Sequence, residues 1–183
     1  LQFELQIRTI IQDAWSVLDH KIKYKKSIPH SLKRRINRLS ALFEIADDEF
    51  LHIKEEIALE ENRISERIQQ GAHVEQNKPL DVFSFLFVAL KYFPGYNFIE
   101  FKVDGFVQEI LSLHEFITES ELNEALVNFL SKIDLIAENE ERGLNPYNKI
   151  RYCLYLSNVN IFHHILSVYQ KQIVHHLIMP ITT

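Results

Sequence analysis

Glu4, Gln6 and Arg8 occupy every second position of the opening segment, and Leu1, Phe3, Leu5 and Ile7 fill the positions between them. A period of two places the three polar groups on one face of a β-strand and the apolar groups on the other. A helix-forming stretch follows at once and carries His20, Lys21, Lys23, Tyr24, Lys25 and Lys26. Acid, amide, guanidinium and ammonium groups are therefore gathered in one short span. A carboxylate in such company can hold Mg²⁺ or take up a proton, while Arg and Lys clamp phosphates. Taken alone, the pattern fits more readily a domain without a site, since alternating strands beside basic helices are common.

Other residue types that often do chemistry are better read as structure. In the pairs His163–His164 and His175–His176, adjacent side chains on a helix point about 100° apart. His164 and His175 share a face but lie about 16 Å apart at the helical rise, too far for one ion. Cys153 sits between Tyr152 and Leu154 with no charged neighbour in sequence, as a buried structural thiol does. Trp15 and the aromatic run 82–93 read as core.

The elements that must position the polar groups can be followed along the chain. Thr9-Ile10-Ile11-Gln12 has the form of a capping box and predicts a helix over 10–26, with Ile11, Ala14, Trp15, Leu18 and Ile22 on its apolar stripe. Asp13, Ser16, His20 and Tyr24 align on another face. Pro29 breaks that helix. A second helix is expected from about Ser31 to Gln70, with a heptad-like seam through Ile36, Leu39, Phe43, Ala46, Phe50, Ile53 and Ile57, resumed at Ile64 and Ile68. At the helical rise it would be about 60 Å long and would need a partner along its face.

Charge is segregated along this stretch. Residues 1–38 hold nine Lys and Arg against three Asp and Glu, whereas residues 39–70 hold three against nine. Such blocks read either as solvated faces or, for the basic one, as a phosphate-binding surface. A polar linker is expected over 71–78. Beyond it the pattern is helical: 79–93, then 103–113, then 120–141 with Ser120 as its cap, then Pro146 to the end with a bend near 158–160. The aromatic stretch 97–101 reads as a short strand. The domain expectation is a catalytic-domain end over 1–28, a connecting helix over 29–70, a linker over 71–78 and a helical domain over 79–183.

The whole chain has 183 residues, a formal net charge of −5 and 46% hydrophobic residues. That content supports a real core, and the charge argues against nucleic-acid or membrane binding by bulk electrostatics. Four Gly and five Pro are too few for a chain of many short hairpins. One cysteine excludes an internal disulfide and suits a reducing compartment, so a cytoplasmic location is expected. No apolar run reaches the length of about 20 residues that spans a bilayer. The sequence opens on Leu1 without an initiator Met, which reads as a fragment or matured product.

The string Glu4-Leu5-Gln6-Ile7-Arg8-Thr9, followed by Trp15, Asp19-His20 and Tyr24-Lys25, resembles the closing motif of the RelA/SpoT-type nucleotide pyrophosphokinase domain. The compact spacing from Trp15 to His20 is more similar to the small alarmone synthetases than to the long bifunctional enzymes. Asp19 stands where the family more often has Glu. The resemblance covers about the first 26 residues and is weaker along the helix that follows.

The resemblance implies a mainly α chain whose N-terminal strand belongs to a mixed α/β nucleotidyltransferase-like sheet, followed by a long helix and a helical bundle. It implies a parent enzyme that transfers pyrophosphate from ATP to the 3′-hydroxyl of GDP or GTP with Mg²⁺. On that footing Glu4 is the catalytic and metal-binding carboxylate, Gln6 and Arg8 shape the site, and His20, Lys21 and Lys25 contact phosphates. The family's second metal-binding Asp, its ATP-gripping cations and its guanine-stacking Tyr lie upstream of this motif, so the fragment alone is expected to be inactive. Residues 1–8 should then pair between molecules or lose strand form.

Two alternatives stand beside this reading. The basic block, with Lys33, Arg34, Arg35 and Arg38, suits a tRNA acceptor whose 3′ end receives the pyrophosphate. Or the chain is a non-catalytic helical module whose seam drives oligomerisation or regulation; a homo-oligomer without membrane contact is expected.

Overall fold

The computed structural model describes residues 7–23, 29–138 and 143–178. It contains seven helices among them: α1 Ile10–Lys23, α2 His30–Gln69, α3 Val82–Tyr92, α4 Glu100–Leu113, α5 Glu119–Glu138, α6 Pro146–Ser157 and α7 Val168–Ile178. The chain is mainly helical, and the β-pairing among the described residues is an isolated bridge between Pro79 and Thr118. The expected N-terminal strand falls largely on residues 1–6, outside the described ones, and Ile7 and Arg8 carry no regular structure. No helix among the described residues is long and apolar enough to cross a membrane.

Local chemistry accounts for where the helices begin. Thr9 and Gln12 form the expected capping box: the Gln12 amide donates to Thr9 Oγ1 at 3.0 Å and the Thr9 amide to Gln12 Oε1 at 3.2 Å. Pro29 precedes α2, and its carbonyl accepts the first amides, from Leu32 and Lys33, at 2.9 and 3.1 Å. At the far end Gly71 takes a φ of 62°, left-handed backbone that favours glycine, and the Ala72 amide turns back to the Arg67 carbonyl at 2.9 Å. Asp81 and Ser84 box the start of α3 at 2.6 and 2.7 Å. Asn145 caps α6 with Pro146 in its first turn.

Three local expectations are corrected. Residues 97–101 form no strand: the chain enters α4 at Glu100, with Ile99 as its cap residue. The cap of α5 is Thr118 rather than Ser120, with the Thr118 amide donating to Glu121 Oε2 at 2.8 Å and the Glu121 amide to Thr118 Oγ1 at 3.2 Å. Either hydroxyl has a carboxylate within reach, but Thr118 is bridged to Pro79, so the chain turns there. The C-terminal stretch is two helices rather than one bent helix. Asn158 Oδ1 accepts the Ile161 amide at 3.2 Å after α6, and Ser167 with Gln170 boxes the start of α7 at 2.9 and 3.3 Å.

The chain divides into two compact units, Leu1–Glu60 and Glu61–Thr183. In the first, the α1 stripe is half-buried at Ile11, Trp15, Leu18 and Ile22, while Ala14 is exposed. Trp15 meets Phe43 of α2 with ring centroids 5.7 Å apart, and Gln12 Nε2 donates to Asp47 Oδ2 at 3.2 Å. Farther along the seam Phe50, Ile53 and Ile57 stand exposed.

The second unit holds the core. Phe85, Val88, Ile110, Leu122, Ile133 and Ile150 are sealed from solvent. Each such side chain contributes about 1.5–3 kcal/mol of burial free energy. Phe85 packs edge-on against Phe98 and Phe106 at 6.1 and 5.6 Å. Within this apolar mass lies one charged group, Glu119, with 0% exposure. The Arg67 guanidinium donates to both its carboxylate oxygens at 2.7 and 3.2 Å, and the Glu75 amide donates to Oε1 at 3.1 Å. Arg67 also lies 3.7 Å over the Phe87 ring. The pair ties segment 71–78 to the end of α2 and the start of α5, and its satisfied oxygens make burial of the charge tolerable.

Candidate functional site

Of the six residues singled out for nucleotide chemistry, three lie among the described residues. Arg8 precedes α1, and its Nη1 donates to Ser16 Oγ at 2.5 Å, so the guanidinium folds back along the first two turns of that helix. His20 and Lys21 occupy the last turns of α1 and are exposed. Glu4, Gln6 and Lys25 lie outside the described residues.

The capping box holds Thr9 at the start of α1, directly after Arg8, and the Trp15–Phe43 contact sets α1 against α2. Lys33, Arg34, Arg35 and Arg38 follow on α2 and are exposed. A run of solvated cations at the start of α2 can attract a polyanion, with a strength that falls as salt screens it. No group of three or more His, Cys, Asp or Glu side chains converges on a metal-sized site among the described residues.

The second unit brings together residues that sequence spacing did not connect. A cleft of about 360 Å³ opens between α5 and α6, with His114, Glu121, Glu124 and Asn128 on its polar side. Another, of about 350 Å³, lies where Tyr96 and α4 meet the start of α6, and its lining includes Lys102, Phe106, Tyr147 and Arg151. Here the rings of Phe98 and Phe106 each stand 5.4 Å from that of Tyr147. Arg151 Nε donates to Glu109 Oε1 at 3.3 Å and its Nη2 to Oε2. The signal in the sequence was faint: Asn145-Pro146 announces a helix start, but nothing local shows which rings its first turn will meet.

Cys153 is fully buried, and its thiol is pushed up to about 12 by burial first, then by Asp134, with Lys149 opposing. It is an inert core group, as its apolar neighbours in sequence suggested. His163 and His164 stack edge to face at 5.2 Å, and no metal-ligand cluster forms around them among the described residues.

Against known proteins, a 56-residue stretch is 38% identical to the GTP pyrophosphokinase YwaC of Bacillus subtilis (strain 168). The match covers 30% of this chain and 27% of that protein, so it reports on a part of the relative only. No family model matches the chain, and no solved structure matches it.

Proposed function

We propose that the N-terminal segment forms part of a pyrophosphokinase site of the RelA/SpoT kind, acting on ATP and on GDP or GTP. The observation that carries this reading is the constellation of Glu4, Gln6, Arg8, Trp15, His20 and Lys25 at family spacing, in a chain that shares a 56-residue likeness with a GTP pyrophosphokinase. In the reaction, the ribose 3′-oxygen attacks the β-phosphorus of ATP, an O–P bond forms, the bond from that phosphorus to the α-bridging oxygen breaks, and AMP leaves. Glu4 takes the proton of the attacking hydroxyl. Gln6 and Arg8 shape the site, and His20, Lys21 and Lys25 neutralise phosphate oxygens, which is most of what phosphoryl-type transfer asks of a protein. Mg²⁺, when held at Glu4, supplies further neutralisation of the triphosphate.

The test is Glu4→Gln in the full-length protein. Transfer of labelled pyrophosphate from ATP should fall by about 10²- to 10⁴-fold, the range that a positioned general base supplies, while circular dichroism is unchanged. Undiminished transfer would remove Glu4 from the chemistry. The acceptor is read by competition. The exposed cations at 33–38 also suit a tRNA acceptor, and binding of tRNA would weaken steeply with salt where a mononucleotide responds less.

A second reading, assembly of two copies through α2, is favoured by one observation: Leu39, Phe50, Ile53 and Ile57 are 37%, 65%, 44% and 44% exposed along one seam. An antiparallel second copy centred at Ala46 would set Leu39 on Ile53. The basic block 33–38 would then run along residues 54–59, which include Glu55 and Glu56. Phe50→Asp should dissociate the dimer in sedimentation while Glu4→Ala leaves it intact. A monomer at every accessible concentration would exclude this reading.

A further inference from the structure

The cleft at the start of α6 combines features that a packed core has no use for. Tyr147 is 9% exposed, and its hydroxyl is buried without a hydrogen-bond partner. A buried polar atom of this kind costs stability unless something meets it. Gly105 lines the same cleft from within α4, and a Cβ built there would meet nothing within 4 Å. Packing therefore does not require glycine, although glycine weakens the interior of a helix. Its effect is to leave the cleft open.

The walls have a definite chemistry. Tyr96, Phe106 and Tyr147 supply ring faces and edges, with Tyr96 and Tyr147 centroids 6.2 Å apart. Arg151 lies 4.5 Å over the Phe106 ring and is balanced by Glu109. Lys102, at the rim, has no ion pair among the described residues, so the lining carries one uncompensated positive charge. Asn145 Oδ1 is spent on the Asn148 amide at 2.9 Å, which leaves the Asn145 side-chain amide group to donate. Burial, then neighbouring Tyr96, raises the Tyr147 pKa above its ordinary value. Aromatic surface, donors and a net cation converge in about 350 Å³, a volume within the range of small-molecule sites.

We propose that this cleft binds a small planar anion, a ring bearing a phosphate or a carboxylate, with the ring among Tyr96, Phe106 and Tyr147 and the anionic group toward Lys102. The site lies in the second unit and does not depend on the reading given to Glu4. Ring stacking and cation pairing are each modest, and together they suit a dissociation constant in the range of about 10 μM to 1 mM.

The experiment is isothermal titration of the full chain with two probes, adenosine 5′-monophosphate and 4-hydroxyphenylacetate, each beside its uncharged counterpart, adenosine and 4-hydroxyphenylacetamide. At least one anion should bind, and at least about tenfold tighter than its counterpart, a difference of about 1.4 kcal/mol. Preference for the nucleotide or for the carboxylate identifies which source of anion the cleft serves. Gly105→Leu should abolish binding by filling the cleft, and Lys102→Glu should weaken it about tenfold, one unit of affinity arithmetic. Tyr96→Ala removes a ring wall that is 37% exposed and should weaken binding while leaving circular dichroism unchanged. Failure of both anions to bind, equal binding of the uncharged counterparts, or binding indifferent to Gly105→Leu and Tyr96→Ala would each overturn the proposal.

Discussion

The two units of the chain make opposite use of the same kind of helix. In Glu61–Thr183 apolar stripes meet and close: every fully buried side chain among the described residues lies between Ile64 and Val174. In Leu1–Glu60 the stripes are equally regular, yet Phe50, Ile53 and Ile57 stand exposed. Helix α2 contributes to both, and its seam passes from exposed Phe50 to buried Ile64 without a change in periodicity. Periodicity therefore builds a helix, and stability comes from what covers its apolar face. The residues proposed for nucleotide chemistry sit in the unit with the least buried surface.

This contrast can be broken most forcefully at Arg67. Arg67→Ala leaves the Glu119 carboxylate buried with its guanidinium fork gone, and should cost about 3–5 kcal/mol in urea unfolding. Phe85→Ala should cost a similar amount, about 3–5 kcal/mol, whereas exposed Phe50→Ala should stay within about 0.5 kcal/mol for the monomer. The single Trp15 reports on the first unit, and six of the seven tyrosines lie in the second. Fluorescence and near-ultraviolet dichroism should thus give separate transitions, with Phe85→Ala moving the second. Coincident transitions would show one cooperative body and erase the comparison.

Titration sharpens it further. The Cys153 thiol is raised from 9.0 to about 12 by burial, so folding favours its protonated form. Its contribution is complete below the unfolded value of 9.0 and is lost as pH rises towards about 12. Stability of the second unit should fall through that window by up to about 1.4 kcal/mol per pH unit, and Cys153→Ala should flatten the slope. The smallest expected change is a gain. Gly105→Ala adds a Cβ that meets nothing within 4 Å and should stabilise α4 by about 0.5–1 kcal/mol, read as a small rise in melting temperature.

Much of the helix map was legible because its signals are local. Thr9 with Gln12, Pro29 before α2, Gly71 after it and Asn145-Pro146 before α6 act through hydrogen bonds and backbone angles spanning four residues or fewer. The misreadings arose where two local signals competed. Thr118 and Ser120 each have a carboxylate in reach, and only the bridge to Pro79 decides between them. The aromatic run at 97–101 looks strand-like in composition, but no neighbouring strand exists among the described residues to pair with it.

By itself, then, the order of residues determined that the chain is mainly helical and where several of its helices begin, at Thr9, Pro29 and Asn145. The tertiary structure alone decided which part of the α2 seam is buried, and that Glu119 meets Arg67 across 52 residues. It also decided that Tyr96, Phe106 and Tyr147 line one cleft and that the Tyr147 hydroxyl is buried without a partner. The reason is one of range: caps and turns are settled by bonds within a turn of helix, whereas burial depends on which distant surfaces meet, and no local pattern encodes that choice.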